Sequence, residues 1–350
     1  MIPPDLPAAL KVALDRKAHG LSRNDAAARA TAISKTYRGG GGSGAIRSES
    51  DALAYALARM PATYAAVIAG LNALREIRPD FAPASLLDIG AGPGTATWAA
   101  AQAFDTLTAF AAIDANPALR TLALGLVRDE ARLATLHYSP GEAAAGLRNA
   151  VASDLVIASY MVGELSADRQ AALAESMWAA TRDTLLVVEP GTPAGYRRIV
   201  DLRRRLIARG AHVVAPCPHD NECPLTALPS EPGTAAREEF ASEQKTTADW
   251  CHFVQRLPRL RAHKHLKGAE LPFEDEKFSY VALSRTAAKQ RPARVLAQPL
   301  VSKVAVTAKL CALQGLSLAT IARRDKAAYA RYRKLDWGDA IFGSEAPGTE

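Results

Sequence analysis

The chain has 350 residues, a formal net charge of +7 and a pI of about 9.3, with 49% hydrophobic and 23% charged residues. These values are near the averages of globular proteins, which excludes a largely disordered chain. No uninterrupted apolar run reaches the roughly 18 residues of a membrane span, so we expect no association with a membrane. The length allows one large α/β domain with appendages.

The N-terminal part of the chain reads as helical. Residues 5–19 predict a short helix that Gly20 ends. Ser22, with Asp25 three residues later, resembles a capping box that begins a second helix ending near Arg38.

A glycine-rich run and a longer helix follow. Residues 39–44 predict a flexible linker, because glycine loses much backbone entropy on ordering. A phosphate-binding loop is the weaker interpretation, since no Gly-Lys-Ser/Thr ending follows. Residues 50–77 predict a helix interrupted at Met60-Pro61, because proline removes a helix hydrogen bond and clashes with the preceding turn.

From residue 85 onward, short apolar segments alternate with helical ones. Alternating β and α segments predict parallel strands joined by right-handed crossovers, hence a doubly wound sheet. A later apolar segment adds one more strand. The predicted strands cover residues 85–89, 108–113, 132–137, 154–159, 185–189 and 278–285.

The pattern changes again in the C-terminal half. Residues 214–250 show no convincing period, so they are either disordered or ordered by something other than a hydrophobic core. Two β-like runs, 301–310 and 316–322, then predict a small β-rich module. The predicted division is an N-terminal helical region at 1–80, an α/β domain at 81–290 with a cysteine-bearing insertion at about 214–255, and a basic C-terminal module at 291–350.

A glycine-rich turn lies between a predicted strand and a helix. Gly90, Gly92 and Gly94 follow the apolar strand, and Asp88 stands two residues before the first glycine. A dinucleotide site prefers Gly-x-Gly-x-x-Gly, whereas the spacing here is Gly-x-Gly-x-Gly with an acid suited to a zwitterionic amino-acid moiety. Asp114 ends the next strand, where a carboxylate can accept hydrogen bonds from both ribose hydroxyls. The better match is S-adenosylmethionine.

This pattern resembles the class I S-adenosylmethionine-dependent methyltransferases over residues 85–190. The resemblance implies a doubly wound, mostly parallel Rossmann-like sheet. The alternative is a glycine-rich turn in an unrelated α/β fold. The predicted cofactor-binding residues are Asp88, Gly90, Gly92, Gly94 and Asp114.

The acceptor site of a methyltransferase is expected beyond the fourth strand. The segment there lacks the Asn/Asp-Pro-Pro-Tyr of exocyclic amino-group methyltransferases and has no cysteine for a covalent cytosine mechanism. Tyr160 is a candidate stacking surface and Glu164 a candidate polar contact or base; core packing and a helix-surface acid are the alternatives. Glu189 is more often structural at such a position. No catalytic residue is assigned.

Four cysteines lie outside the glycine-turn region, at Cys217, Cys223, Cys251 and Cys311. Disulfides are rare in cytosolic proteins, and structural zinc sites favour cysteine pairs that are closer in sequence than these. Four thiolates suffice for a [4Fe-4S] cluster. Zinc with help from His219 or His252, and unligated cysteines, stay open on spacing alone.

The positive charge is concentrated near the C-terminus. Eleven Lys or Arg between Lys289 and Lys334 stand against one acid, Asp325. Such a stretch attracts polyanions through phosphate neutralisation and counterion release. A solvated basic face is the alternative.

Several segments are similar to the mitochondrial small-ribosomal-subunit methyltransferase-like family, of the methyltransferase-like protein 17 type, and its bacterial relatives. They surround Cys217 and include Asp249-Trp250-Cys251-His252-Phe253 and Leu335-Asp336-Trp337-Gly338-Asp339; the similarity spans roughly residues 50–340. The resemblance implies association with small-subunit ribosomal RNA during assembly. It also implies a [4Fe-4S] cluster held by Cys217, Cys223, Cys251 and Cys311.

The sequence leaves three functions open. The first is a methyltransferase acting on ribosomal RNA or a ribosomal protein of the small subunit. The second is a non-catalytic assembly factor that binds ribosomal RNA and carries the cluster, and the third is a small-molecule methyltransferase, which has little use for the basic run. The N-terminus lacks a signal-peptide core, and Asp5, Asp15 and Asp25 are unlike a mitochondrial presequence, so the expected location is cytoplasmic.

Overall fold

The structure of the chain, a computed structural model, describes residues 1–226, 249–259 and 261–343. Residues 227–248 of the predicted insertion therefore lie outside the described residues. Within them the helices are α1 (Ala8–Ala18), α2 (Arg23–Arg38), α3 (Glu49–Ile77), α4 (Thr95–Ala103), α5 (Pro117–Val127), α6 (Ala143–Leu147), α7 (Ala167–Ala179), α8 (Pro193–Ile207), α9 (Arg261–Leu266) and α10 (Lys326–Tyr332). The strands are β1 (Ser85–Ile89), β2 (Ala109–Asp114), β3 (His137–Pro140), β4 (Ser153–Ser159), β5 (Thr181–Pro190), β6 (His212–Ala215), β7 (Phe253–Pro258), β8 (Phe273–Ser284), β9 (Ala293–Val295), β10 (Leu300–Val301), β11 (Ala305–Ala312), β12 (Gly315–Ala322) and β13 (Ala340–Ile341).

The main sheet runs in the order β3-β2-β1-β4-β5-β8-β6, with β7 also paired to β8. Strands β1 to β5 pair in parallel, and β8 is antiparallel to β5, β6 and β7. The central strands β1, β4 and β5 are buried on both faces, as expected when crossover helices cover both sides of a parallel sheet. The predicted doubly wound, mostly parallel α/β fold is confirmed.

The predicted third strand is placed too early. Residues 132–137 were expected to form it, but β3 begins at His137. The Arg132 guanidinium donates to the carbonyl oxygens of Ala101 and Phe104 at 2.7 and 2.9 Å. These bonds hold the segment before β3 in a turn against the end of α4, where it cannot pair with β2.

Helix α3 continues through Pro61, so the predicted interruption is wrong. The residues around Pro61 are buried on nearly every side, and α3 packs against α2, α4 and β8. This burial outweighs the roughly 3 kcal/mol that an interior proline costs a helix. By length and composition α3 is apolar enough to cross a membrane, but 83% of its most apolar window is buried inside the protein.

The glycine-rich run is held in place, unlike the flexible linker that its composition predicts. The side-chain amide of Asn116 donates to the carbonyl oxygens of Ser43 and Ile46 at 3.0 and 2.9 Å. A Cβ at Gly42 would lie 2.2 Å from Glu164 Oε2. Gly42 therefore makes a close backbone contact that a larger residue would break, whereas a Cβ at Gly40 or Gly44 would meet nothing within 4 Å.

The second sheet runs in the order β10-β11-β9-β13, with β12 paired to β11, and its described pairs are antiparallel. It has a small core of its own that includes Val295, Val306, Leu310 and Tyr332. The predicted β-rich character of this region is confirmed. The proposed boundaries of the three regions stay predictions.

Candidate functional site

The glycine turn after β1 has left-handed backbone at each predicted glycine. The φ angles are 65° at Gly90, 54° at Gly92 and 80° at Gly94. A Cβ at Gly90 would stand 2.7 Å from the Cβ of Met161, so this position excludes larger residues for two independent reasons. Gly94 is the N-cap of α4.

Asp88 lies behind this turn, fully buried. Its Oδ2 accepts hydrogen bonds from the backbone N–H and the hydroxyl of Thr97, at 2.9 and 2.8 Å. Its Oδ1 has no hydrogen-bond partner among the described residues. Burial raises the pKa of Asp88 to about 7, although the Thr97 hydrogen bonds oppose the rise. This carboxyl anchors the start of α4 and does not line the cleft described next.

Asp114 ends β2 at the mouth of the same turn. Its Oδ2 accepts the Gly92 N–H at 2.9 Å, and its Oδ1 accepts the Asn116 N–H at 2.7 Å. Burial raises its pKa, while these two hydrogen bonds act in the opposite direction. Each oxygen keeps a second lone pair for a ligand hydroxyl.

A cleft opens at the carboxyl ends of β1, β2 and β4. This is where the strand order reverses, the usual ligand position in open α/β sheets. Gly90, Gly92 and Asp114 line it, whereas Asp88 and Gly94 lie behind it. The other polar or aromatic residues that line it are Tyr37, Ser43, Tyr55, Arg59, Thr63, Thr95, Glu142, Ser159, Tyr160 and Glu164.

The β4 end of the cleft carries a charged network. Tyr160, the residue after β4, has a left-handed φ of 57°, an unusual conformation for a side chain of this size that often marks a functional site. Its hydroxyl donates to Glu276 Oε1 at 2.8 Å. The Arg59 guanidinium donates to both oxygens of Glu276, at 3.1 and 3.5 Å, and lies 5.5 Å from the centroid of the Tyr160 ring. The predicted stacking surface is thus fixed by a buried acid and a cation.

The two other acids suggested by the sequence differ in environment. Glu164 lines the cleft and accepts the Ser43 N–H at 3.4 Å, and burial raises its pKa. Glu189 is almost fully buried; it accepts from the Val162 N–H at 3.1 Å and pairs with Arg198 at 2.6 Å. Glu189 is therefore structural, and Glu164 is the acid that faces the cleft.

Residues from the N-terminal helices, which sequence reasoning missed, complete the cleft. Tyr37 of α2 and Tyr55 of α3 stack with ring centroids 5.7 Å apart, and Arg59 follows one turn after Tyr55. Arg59 interrupts an otherwise uncharged stretch of α3 between Asp51 and Arg75. A lone charge in a long apolar helix is the signal that could have identified it.

A second cavity lies between the two sheets, and all four cysteines line it. Cys217 follows β6, Cys251 precedes β7 and Cys311 belongs to β11. Cys223 and Cys311 are buried, while Cys217 and Cys251 are partly exposed. The structure thus brings together four thiols from three separate segments of the chain.

The surroundings of these thiols are cationic. Arg203 and Arg294 are nearly fully buried and line the same cavity. Arg203 Nε has no hydrogen-bond partner among the described residues, and its Nη2 donates to the His219 carbonyl at 2.6 Å. Burial raises the pKa of Cys217, while Arg203 lowers it. A buried cation of this kind suits a group of thiolates better than a group of neutral thiols.

The thiols do not converge on a point. Among the described residues, no three His, Cys, Asp or Glu side chains are close enough to coordinate one metal ion. His219 Nε2 lies 3.8 Å from Cys311 Sγ. Burial is the main cause that raises the pKa of Cys251. The nearby Cys217, Cys223 and Cys311 raise it further, so the four thiols are close enough to affect one another electrostatically.

The basic run divides into structural and exposed members. Arg294 donates to the carbonyl oxygens of Pro216 and Gly338, Arg291 pairs with Asp220, and Lys309 pairs with Asp249. The remaining members are exposed: Lys289, Lys303, Arg323, Arg324, Lys326, Arg331, Arg333 and Lys334. Exposed apolar side chains of the same sheet, Leu300, Val301 and Val304, accompany them.

Two named relatives come from mitochondria. The chain is 28% identical over 315 residues to the human (Homo sapiens) protein named "Ribosome assembly protein METTL17, mitochondrial". The matched region covers 84% of this chain and 63% of the human protein. The chain is 28% identical over 196 residues to "Rsm22-cox11 tandem protein 2, mitochondrial" of Schizosaccharomyces pombe, covering 49% and 25%. The chain thus spans less than two thirds of the length of these curated relatives.

These names contradict the expected cytoplasmic location, because both relatives are mitochondrial proteins. The expectation used Asp5 and Asp25 as evidence against a presequence. In the structure Asp5, which precedes α1, pairs with Lys11, and Asp25 of α2 pairs with Arg29; both helices pack on the rest of the protein. These acids serve local ion pairs and carry no information about the compartment.

Two solved methyltransferase structures are similar to parts of this chain at low identity and low TM-score. One is precorrin-6y C5,15-methyltransferase of Geobacter metallireducens, 12% identical with a TM-score of 0.37, covering 61% of this chain and 83% of that one. The other is magnesium protoporphyrin IX methyltransferase of Synechocystis with bound S-adenosylmethionine, 10% identical with a TM-score of 0.39, covering 65% and 84%.

A family description covers most of the chain. It matches residues 49–342, from the start of α3 to the residue after β13, and so includes the four cysteines and the residues that line the cleft other than Tyr37 and Ser43. The match extends well beyond the glycine turn on which the fold prediction was based. The chain belongs to the mitochondrial small ribosomal subunit Rsm22 family.

Proposed function

We propose that this chain binds S-adenosylmethionine and transfers its methyl group to ribosomal RNA or a protein of the small ribosomal subunit during assembly. The observation that carries the proposal is the cleft at the strand-order reversal, where Gly90 and Gly92 leave room for a ligand and Asp114 ends β2. A carboxylate at the end of the second strand suits the two ribose hydroxyls of a nucleoside.

The chemistry asks little of the protein beyond alignment. The acceptor forms a bond to the methyl carbon, the carbon–sulfur bond breaks, and S-adenosylhomocysteine leaves with the electron pair on sulfur. A protonated acceptor also loses its proton to a base. Glu164 is the candidate for that base, because it lines the cleft and burial raises its pKa.

A second candidate function is a non-catalytic assembly factor with the same fold. The observation in its favour is that the other polar side chains near the acceptor end already have partners: Tyr160 donates to Glu276, and Glu189 pairs with Arg198. The printed name of the human relative is that of an assembly protein. In this case the cleft binds the nucleoside without transfer.

Calorimetry and a transfer assay separate the two. We expect S-adenosylmethionine to bind the intact protein and Asp114→Asn to weaken it by about tenfold or more, since one charge-assisted hydrogen-bond acceptor is lost. Transfer of labelled methyl to immature small subunits, lost in Glu164→Gln with binding retained, supports the enzyme. Binding without transfer supports the assembly factor, and no binding in the presence of the subunit refutes the cofactor proposal.

The proposed RNA contact is the exposed basic patch formed by Lys303, Arg323, Arg324 and Lys326. Arg323 donates to the Lys303 carbonyl oxygen at 3.2 Å, which places the two residues side by side. Replacing these four residues with Gln lowers the slope of log affinity against log salt by about one for each lost phosphate contact. Arg23→Gln with Lys35→Gln on α2 is the control, and an unchanged slope in the patch variant refutes the assignment.

The four cysteines are proposed to hold a [4Fe-4S] cluster. The donor set fits a cluster, because four thiols line one cavity beside two buried arginines. These thiols do not converge on one point, which suits a cluster with four separate iron atoms better than one tetrahedral zinc ion. When bound, the cluster supplies a cross-link between the two sheets. Anaerobic purification should give about four irons and four sulfides per chain, and Cys311→Ser should lose them; colourless protein with zinc refutes the cluster.

A further inference from the structure

The cleft has a charge pattern that the glycine turn and Asp114 leave unexplained. Among the residues that line it, Arg59 is the one basic side chain, and Asp114, Glu142 and Glu164 are acidic. Glu276 pairs with this cation from the protein side, yet the guanidinium still lines the cleft, where it suits a ligand that carries a negative group. S-adenosylmethionine has one such group, the carboxylate of its amino-acid half.

The position of Arg59 agrees with the orientation that Asp114 imposes. Asp114 ends β2, and β1 and β4 follow in the sheet order, so a ribose at Asp114 directs the amino-acid half toward β1 and β4. Arg59 packs over Tyr160, which directly follows β4, and the next residue, Met161, crowds Gly90 at the end of β1. Arg59 therefore stands at the amino-acid end of the cleft.

Arg59 is also held ready for a second anion. Its bidentate pair with Glu276 uses two of the five guanidinium N–H donors, and the Tyr160 ring supports one side. The Arg59 side chain remains 34% exposed, whereas that of Glu276 is 11% exposed. Glu276 thus fixes the guanidinium from the protein side, and donors remain for a ligand.

We propose that Arg59 binds the α-carboxylate of the cofactor, with Glu276 and Tyr160 as positioning residues. The inference rests on the proposed binding of S-adenosylmethionine. It assigns part of the cofactor site to α3, outside the strand–turn–helix unit that identifies the fold. It also predicts selectivity for nucleosides that carry a carboxylate.

The test compares two ligands that differ in one group, S-adenosylmethionine and its decarboxylated form, by calorimetry on the intact protein. We expect the wild-type protein to prefer S-adenosylmethionine by about 10- to 100-fold, the range of a charge-assisted hydrogen-bonded pair. Arg59→Gln is combined with Glu276→Gln so that no buried acid is left unpaired. In this double variant the ratio of the affinities for the two ligands should fall to about one. Arg59→Lys should restore part of it, because the charge remains and the fork is lost.

The controls separate the possible failures. Arg75→Gln removes an exposed arginine from the same helix, away from the cleft, and should keep the wild-type preference. A preference that survives in the Arg59→Gln/Glu276→Gln variant overturns the assignment of Arg59, while binding of both ligands still supports the proposed function. If the wild-type protein binds neither ligand, the proposed function itself fails.

Discussion

Asp88→Asn tests the buried carboxyl behind the glycine turn. Asp88 is fully buried, its Oδ1 has no partner among the described residues, and burial raises its pKa from 3.8 to about 7. Between these two pH values the folded protein keeps a proton that the unfolded chain loses. Stability must therefore fall as pH rises through this window.

The size of the effect follows from the pKa. At about 1.4 kcal/mol for each pH unit, the interval from 3.8 to about 7 amounts to roughly 4 kcal/mol of stability lost by the time Asp88 is ionised. Asparagine keeps an oxygen for the Thr97 N–H and hydroxyl and does not ionise. The free energy of unfolding of the variant minus that of the wild type should rise by most of that amount between pH 4.5 and pH 8.

Urea unfolding of both proteins across this pH range measures the difference, and titrating groups that do not interact with Asp88 cancel in it. The absolute difference at low pH also contains the cost of an amide N–H₂ without a partner, about 1 to 3 kcal/mol, so the slope is the quantity to compare. A difference that stays constant with pH refutes the reasoning. A difference that falls with rising pH indicates that the ionised carboxylate is stabilised in the fold.

Two further substitutions test the glycine turn and the buried ion pair after β5. Gly90→Ala should destabilise the protein by about 3 kcal/mol in urea unfolding, because a left-handed φ and a 2.7 Å approach to Met161 act together. The control Gly210→Ala has a left-handed φ but open space around the Cβ, and should cost about 1 kcal/mol. Equal losses of stability contradict the steric argument. Arg198→Met should cost about 3 kcal/mol by leaving the buried Glu189 unpaired, against less than about 0.5 kcal/mol for Arg204→Met, whose partner Asp201 is exposed; similar costs show that Glu189 does not depend on Arg198.

Local signals in the sequence predict the elements that bear the site. Alternating apolar segments predict the parallel sheet, and the glycine spacing before α4 predicts a turn with left-handed residues, which the φ angles at Gly90, Gly92 and Gly94 confirm. These features depend on neighbours in the chain. The errors arise where tertiary contacts override local preference: burial carries α3 through Pro61, and Arg132 holds a turn where β3 was expected.

The sequence by itself determined the fold class, the glycine turn and the identity of the residues available to it. Only the tertiary structure decided that Asp88 supports α4 from behind while Asp114 faces the cleft. It also decided that α3 delivers Arg59 to the cleft and that four thiols from three separate segments share a cavity with Arg203. The physical reason is that backbone preferences act over a few residues, whereas these contacts depend on how separate elements pack, which no local pattern records.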